Sequence, residues 1–161
     1  MLKISSLGGL ILLASLACVT AHADTNADGF VRVTPDQVDW KPVNNKGVKV
    51  AMIYGDQSKP GLYVVRYTFP PGTMSSPHQH STDRIVAVIK GTWYTGTDGI
   101  WDPASTVALT AGSYMIHPAG KVHFDGAKDE EAIVQITGMG PVVTVQSSPK
   151  EESFGAPHKL N

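Results

Sequence analysis

Two short stretches carry histidines at spacings that suit a metal site. The first contains His78 and His80, and the second, which begins at Gly112, ends in His123. Side chains alternate across a β-strand, so two histidines separated by one residue on an extended segment face the same side. The turn residues at 118–120 predict a hairpin that returns His123 toward this pair. Because neutral imidazoles suit iron, copper, nickel or zinc, His78, His80 and His123 are predicted to bind one metal ion.

Short strands are the elements that would have to position these histidines. No segment keeps a helical period for more than two turns, although a turn or one short helical turn is expected within 34–40. Many short strands at close spacing predict an all-β sandwich or barrel, closed to hide its edges. The runs read as strands are 30–33, 48–54, 62–69, 84–90, 92–95, 106–110, 114–117, 122–124, 132–137 and 142–145.

Composition excludes several classes of function. The chain has 161 residues, enough for one domain with a real core. Its formal net charge of −1 offers no basic stripe, so nucleic acid and anionic membrane surfaces are not expected partners. A small molecule is the expected ligand or substrate. No nucleophile elbow, phosphate-binding loop or paired-carboxylate signature is present in the sequence.

The N-terminus is typical of an export signal. Lys3 precedes an apolar run at 7–19, and Ala21 and Ala23 form the small-x-small cleavage pattern. This predicts a signal peptide over 1–23, cleavage after Ala23, and a periplasmic or secreted protein without membrane association, since the run is too short for a stable span. Cleavage would remove Cys18, the only cysteine, and with it any thiol chemistry. An uncleaved anchor and a lipoprotein attached at Cys18 are the less favoured alternatives.

The two histidine stretches resemble the paired motifs of the cupin superfamily. The residues that match the first and second motifs are Gly72, His78, His80 and Gly91, then Gly112, Pro118, Gly120 and His123. The resemblance covers roughly 62–140 and implies a double-stranded β-helix, or jelly-roll, barrel, which is assigned to 24–147. The polar residues after Ser147, with Pro149 and Pro157, predict a flexible tail at 148–161. The resemblance also implies a possible homodimer, because many cupins pair through N-terminal strands.

Two positions depart from the cupin pattern. Arg84 stands where the first motif has Glu, and Ala127 stands where the second has Asn. In cupins that Glu commonly completes a site of three histidines and one carboxylate. The resemblance therefore points to the minority with three histidines, some of which are iron-dependent dioxygenases, with open positions for water, dioxygen or a substrate oxygen. Iron is the expected ion, with zinc, nickel, copper and manganese as alternatives.

Arg84 shares strand parity with His78 and His80, so it is predicted to face the same cavity. There it would hold a substrate carboxylate or enolate through paired hydrogen bonds. The alternative is a bulge that turns Arg84 to solvent or toward Asp83, which would make Asp83 a rival fourth ligand. Asp125 is a candidate ligand or a partner that orients a histidine, but a turn residue is the commonest outcome at this position.

Aromatic and remaining histidine residues complete the candidate site. Tyr67 and Tyr94 are predicted to point inward, with Val86 and Val88 forming an apolar wall, and Tyr94 is a candidate catalytic residue. His117 stands just before the turn and is predicted to be a surface or core residue rather than a ligand.

These features predict a secreted metal-binding cupin. As an enzyme it would be a non-haem metal-dependent oxygenase, lyase or isomerase acting on a small oxygenated or carboxylated compound. The alternative is a non-catalytic periplasmic barrel that binds a metal or a small ligand, and a metal-free structural barrel is a third possibility, since one fold hosts many activities.

Overall fold

A computed structural model of the chain describes residues 24–97, 99–148 and 158–159. The predicted signal peptide at 1–23 lies outside these residues. The chain divides into two compact units, 1–38 and 39–161. In the part of the chain that the structure describes, no helix combines the length and apolar character needed to cross a membrane.

The first unit contains a small antiparallel sheet. It consists of β1 (Asp24–Thr25) and β2 (Val31–Arg32), and a 3-10 helix follows at Pro35–Gln37. The predicted strand at 30–33 and the predicted helical turn at 34–40 are both found here. The side chain of Gln37 accepts a hydrogen bond from the Thr34 N–H at 2.9 Å, which caps the helix.

The second unit is built almost entirely of antiparallel strands. A 3-10 helix, Pro103–Ser105, separates its seventh and eighth strands. The strands, numbered on from the first unit, are β3 (Lys41–Pro42), β4 (Lys49–Tyr54), β5 (Gly61–Phe69), β6 (Thr73–Met74), β7 (His78–His80), β8 (Arg84–Lys90), β9 (Thr92–Gly96), β10 (Val107–Thr110), β11 (Tyr114–His117), β12 (Phe124–Ala127), β13 (Ala132–Gly140), β14 (Thr144–Gln146) and β15 (His158–Lys159).

Three sheets arise from these strands. A six-stranded sheet has the order β11-β8-β13-β5-β4-β3, a five-stranded sheet has the order β10-β9-β12-β6-β15, and β14 pairs with β7. The non-consecutive neighbours are the crossovers of a jelly roll rather than of a simple meander. The all-β jelly-roll prediction is confirmed.

A continuous apolar core lies along the inward faces of these sheets. Strand β8 shows the alternation that creates it, because Val86 and Val88 are buried whereas Ile85 and Ile89 are exposed. The buried core residues are Val48, Tyr63, Val65, Phe69, Val86, Val88, Trp93, Ala127, Ala132, Val134 and Ile136.

Strand β12 begins later than the sequence predicts. The predicted strand at 122–124 is found at Phe124–Ala127, where it pairs with both β9 and β6. Gly126 permits this double pairing, since a Cβ there would lie 2.2 Å from the Thr73 carbonyl oxygen. The segment predicted as a flexible tail includes β15, which pairs with β6.

Candidate metal centre

Backbone hydrogen bonds bring the two histidine stretches together. The N–H of His78 donates to the carbonyl of His123, and the N–H of His123 donates back to His78, both at 2.9 Å. The Gly120 N–H donates to the carbonyl of His80 at 2.8 Å, which ties the predicted turn to β7. Gly120 has a φ of +71°, a left-handed conformation that glycine adopts without steric cost. The turn therefore returns His123 to the His78–His80 pair.

The three histidine side chains converge inside the barrel. His78, His80 and His123 are 3%, 2% and 3% exposed, and each offers a ring nitrogen within 4.8 Å of the others. Their ring centroids lie 4.5 to 5.2 Å apart. One transition-metal ion fits such a set of nitrogen donors.

Hydrogen bonds at Nδ1 leave Nε2 available for a metal. The Nδ1 of His78 lies 2.7 Å from the carbonyl oxygen of Ser76, and the Nδ1 of His123 lies 3.0 Å from that of Lys121. A carbonyl oxygen only accepts hydrogen bonds, so both neutral rings carry their proton on Nδ1 and a lone pair on Nε2. This is how proteins orient metal-binding histidines. The donor set therefore fits a metal ion.

Burial keeps the three rings neutral. Loss of water around the charged form lowers the pKa of His78 to about 4 and that of His123 to about 3. Burial followed by the charge of Arg84 holds the pKa of His80 far below its usual range. The His80 ring is oriented by the Thr144 hydroxyl, 2.8 Å from its Nδ1. Neutral imidazole is the form that binds a metal.

Arg84 lies inside the barrel. It begins β8, is 4% exposed and stands opposite His117 of β11, whose Nδ1 is 3.1 Å from Arg84 Nη2. Burial lowers the pKa of Arg84, but a guanidinium remains charged at neutral pH. The alternative in which a bulge turns Arg84 to solvent is not observed. Asp83 is exposed and accepts a hydrogen bond from the Ala119 N–H at 2.7 Å, which places it outside the metal centre.

Asp125 is a buried strand residue rather than the turn residue that the sequence favours. It pairs with Thr95 of β9, and a ligand atom of Asp125 lies within 4.8 Å of those of His117 and His123. Burial raises the pKa of Asp125 to about 6, and the charge of Arg84 opposes that shift. The Trp93 indole also lowers this pKa, although its N–H makes no hydrogen bond of good geometry.

His117 is a core residue, one of the two outcomes that the sequence predicts, and it also lines the cavity beside the histidines. It is 2% exposed, and its ring centroid lies 3.8 Å from that of His123. Burial, with the charges of His123 and Arg84, holds the pKa of His117 far below its usual range. The available signal was its position directly before the turn that returns His123, because residues flanking a tight turn end close together.

A cavity of about 300 Å³ opens beside these polar residues. Most of its wall is apolar, as in small-molecule sites. Its lining residues are Pro42, Val43, Val48, Val50, Tyr67, Phe69, Ser75, His78, Arg84, Trp93, His117, Asp125, Val134 and Ile136.

The prediction that Tyr94 faces the cavity is wrong. On β9 the odd-numbered residues Trp93 and Thr95 are buried, and Trp93 lines the cavity. Tyr94 is half-buried, and the Lys128 ammonium lies 4.4 Å above its ring. The turn at Gly91 sets the phase of β9, so Tyr94 points away and is no longer a catalytic candidate. Tyr67 does line the cavity.

The family follows from comparison with known proteins. The sequence profile of the ChrR cupin-like domain matches residues 28–143. The chain belongs to this cupin family. No curated protein sequence matches the chain.

Solved structures share the fold at low identity. An RmlC-like cupin from Shewanella frigidimarina is 21% identical over 66% of this chain and 86% of its own, with a TM-score of 0.54. The DMSP lyase DddQ from Ruegeria pomeroyi is 17% identical over 71% of this chain and 64% of its own, with a TM-score of 0.58. The polyketide cyclase RemF from Streptomyces resistomycificus is 17% identical over 73% of this chain and 87% of its own, with a TM-score of 0.57. At these identities the likeness shows the fold.

Proposed function

We propose that this cupin is an exported metal-dependent enzyme that acts on a small oxygenated or carboxylated compound. The observation that carries the proposal is the convergence of three neutral histidines, with Nε2 lone pairs at His78 and His123, beside the buried cation of Arg84. A site that only filled space would not set two imidazole tautomers and bury a charge next to them.

Each residue has a defined part in this proposal. His78, His80 and His123 would hold the ion, which when bound supplies Lewis acidity toward substrate oxygens. Arg84 binds and stabilises negative charge on the substrate. The apolar lining, including Val134 and Ile136, limits water around the reacting groups.

A lyase or isomerase reaction and an oxygenase reaction are both compatible with this arrangement. Two structural relatives are named as a DMSP lyase and a polyketide cyclase, and these names support the lyase or isomerase class. Iron remains the proposed ion, with zinc, nickel, copper and manganese as alternatives, and iron would favour oxygen chemistry.

A non-catalytic binding barrel is the second candidate. The three histidines are 2–3% exposed and the cavity is small, which suits tight retention of a metal or ligand as well as turnover. The binder predicts a ligand that copurifies with the protein and no product from any substrate. The enzyme predicts turnover that is lost in His78→Ala.

The deciding experiment is metal analysis of the mature protein, purified without a histidine tag. About one equivalent of a transition metal, lost in His78→Ala and in His123→Ala, would support the proposal. Iron would direct a substrate screen under air with diketones, phenolics and thiols, whereas zinc or nickel would direct a screen for elimination and isomerisation. If Arg84→Glu takes up metal and the wild type takes none, Arg84 has disabled the site and the enzyme proposal fails.

Export and dimerisation are further parts of the proposal. N-terminal sequencing of the secreted protein should begin at Asp24, after the predicted cleavage site.

An exposed apolar row on the six-stranded sheet supports pairing with a second copy of the chain. Ile85 and Ile116, both 53% exposed, are cross-strand neighbours, and so are Leu62 and Met139, at 49% and 55%. Light scattering should show a dimer for the wild type and a monomer for Ile85→Glu. Ile100→Glu, a change at an exposed loop residue, is the matched control and should stay dimeric.

A further inference from the structure

The contact between Arg84 and His117 determines which nitrogen of His117 carries a proton. Arg84 Nη2 lies 3.1 Å from His117 Nδ1, and a guanidinium has only donors. His117 Nδ1 must therefore accept, and a neutral ring that accepts at Nδ1 carries its hydrogen on Nε2. This is the opposite tautomer from that of His78 and His123, whose Nδ1 atoms donate to carbonyl groups.

The resulting Nε2–H of His117 is a buried donor without an acceptor among the described residues. The Nε of Arg84 also has no hydrogen-bond partner among the described residues, whereas the Trp93 indole interacts with Asp125 and lowers its pKa. Arg84 and His117 line the same cavity. A buried donor without a partner costs roughly 1–3 kcal/mol, so these two donors indicate that the cavity wall receives an acceptor from a ligand.

The ion pairs of the described residues do not satisfy this need. They involve exposed lysines and carboxylates and do not include Arg84. Asp125 is the nearby carboxylate, and its charge acts on Arg84 without a salt bridge among the described residues. Among the described residues, Arg84 is therefore a buried cation without an ion-paired anion.

We infer that Arg84 and His117 form a two-donor subsite that binds a carboxylate or enolate oxygen of an anionic ligand beside His78, His80 and His123. The inference rests on the proposed function and deepens it by naming the ligand class and one more ligand-binding residue. Arg84 contributes charge and sets the tautomer of His117, and His117 contributes a directed N–H.

A metal at His117, His123 and Asp125 is the competing interpretation. Ligand atoms of these three residues also lie within 4.8 Å of one another. The tautomer decides against it, because a protonated Nε2 has no lone pair to offer a metal.

The first test measures the tautomer by long-range ¹H–¹⁵N NMR of the metal-free protein, with His117 signals assigned from the spectrum of His117→Phe. The wild type should show His117 protonated on Nε2, and Arg84→Met should lose that preference. Arg66→Met is the control, because Arg66 bonds to Gln135 instead of a histidine. Protonation of His117 on Nδ1 in the wild type would overturn the inference. This test needs no metal, so it stands apart from the metal analysis that tests the proposed function.

The second test measures binding of pyruvate and acetoacetate to the zinc-loaded protein by calorimetry, with the neutral pyruvamide as reference. Arg84→Met should weaken anion binding roughly 10- to 150-fold and His117→Phe roughly 2- to 10-fold, the ranges for a charged and a neutral hydrogen bond. His117→Gln, whose amide still donates, should recover most of the loss. Tyr94→Phe, on the other face of β9, should bind as the wild type does.

Three results of this second test would also overturn the inference. They are no binding of either anion to the wild type, equal binding by His117→Phe, and loss of zinc in both His117→Phe and His117→Gln. The last would establish His117 as a metal ligand.

Discussion

Replacing Arg84 by methionine should raise the affinity of the centre for a divalent metal. The charge of Arg84 lowers the pKa of His78, His80 and His123, so it already opposes positive charge on all three rings. Methionine has a similar length and no charge. Replacing buried charge with an apolar side chain of similar volume is often neutral or stabilising, so the variant should fold.

The magnitude follows from Coulomb's law. Arg84 Nη2 lies 3.1 Å from His117 Nδ1, and the ring centroids of His117 and His123 lie 3.8 Å apart, so the guanidinium is within roughly 7–10 Å of an ion at the centre. At that separation a unit charge and a divalent ion repel by roughly 3–5 kcal/mol at an effective dielectric constant of about 20. Asp125 and water in the cavity offset part of this repulsion, which leaves about 2–3 kcal/mol as the net effect. The metal dissociation constant should therefore fall roughly 30- to 150-fold.

The assay is competition for Zn²⁺ between the metal-free mature protein and a chromophoric chelator at constant pH and ionic strength. Arg84→Glu should bind still more tightly, because repulsion becomes attraction. Arg66→Met removes a charge at a half-buried position where the arginine bonds to Gln135, and it should bind as the wild type does. A folded Arg84→Met protein with unchanged or weaker zinc binding would refute the electrostatic reasoning.

Three other predictions test the centre and the barrel. Thr144→Val, which removes the hydroxyl at His80 Nδ1, should weaken zinc binding about 10- to 100-fold. The control Thr137→Val on β13 should leave zinc binding unchanged. Equal zinc affinities of Thr144→Val and the wild type would mean that this hydrogen bond does not orient the ring. Zinc at about 100 times its dissociation constant should add about 2.7 kcal/mol to the free energy of unfolding and raise Tm by roughly 5–10 °C. EDTA should reverse that rise. A Tm that changes with neither zinc nor EDTA would argue for a metal-free barrel. Gly126→Ala should destabilise the protein by about 1–3 kcal/mol in urea unfolding, since its Cβ would lie 2.2 Å from the Thr73 carbonyl oxygen; an unchanged midpoint would mean that β12 and β6 can separate at no cost.

The strands that flank the site were predictable from local patterns. The runs at 84–90 and 114–117 are found as Arg84–Lys90 and Tyr114–His117, because apolar alternation and bounding glycines are local signals. The convergence of His78 with His123 follows from a turn whose residues are also local. Such features need no knowledge of which strands become neighbours.

The errors concern phase and register, which local patterns leave open. Tyr94 was assigned inward by counting parity, but the phase of β9 depends on how the chain leaves the turn at Gly91, which has a φ of +70°. The sequence predicts a surface or core position for His117 but not its place at the cavity, because its contact with Arg84 depends on the pairing of β11 with β8. The phase of β9 and the pairing of β11 with β8 cannot be predicted from the residues of one strand alone.

Gly126 shows how one residue type supports two structural interpretations. In the sequence, Asp125 followed by Gly126 indicates a turn, since both residue types are common in turns. In the barrel, Gly126 is needed for close approach to β6, and Asp125 is consequently held in a strand with its side chain buried. A glycine within a strand often marks the close approach of a neighbouring strand. Here the approach of β12 to β6 determines the position of the Asp125 carboxylate.

The balance of charge in the barrel argues for an anionic ligand. Three neutral histidines, the Arg84 cation and an ionised Asp125 sum to zero, so a divalent ion would leave its full double charge uncompensated. A glutamate at position 84 would make the same sum minus two and would neutralise that ion. Uncompensated charge in a buried site is costly. With arginine at position 84, the negative charge that offsets the ion has to come from the bound ligand instead of a protein carboxylate. A ligand that binds as a carboxylate or an enolate offsets one of the ion's two charges, and a neutral ligand of the same size offsets none.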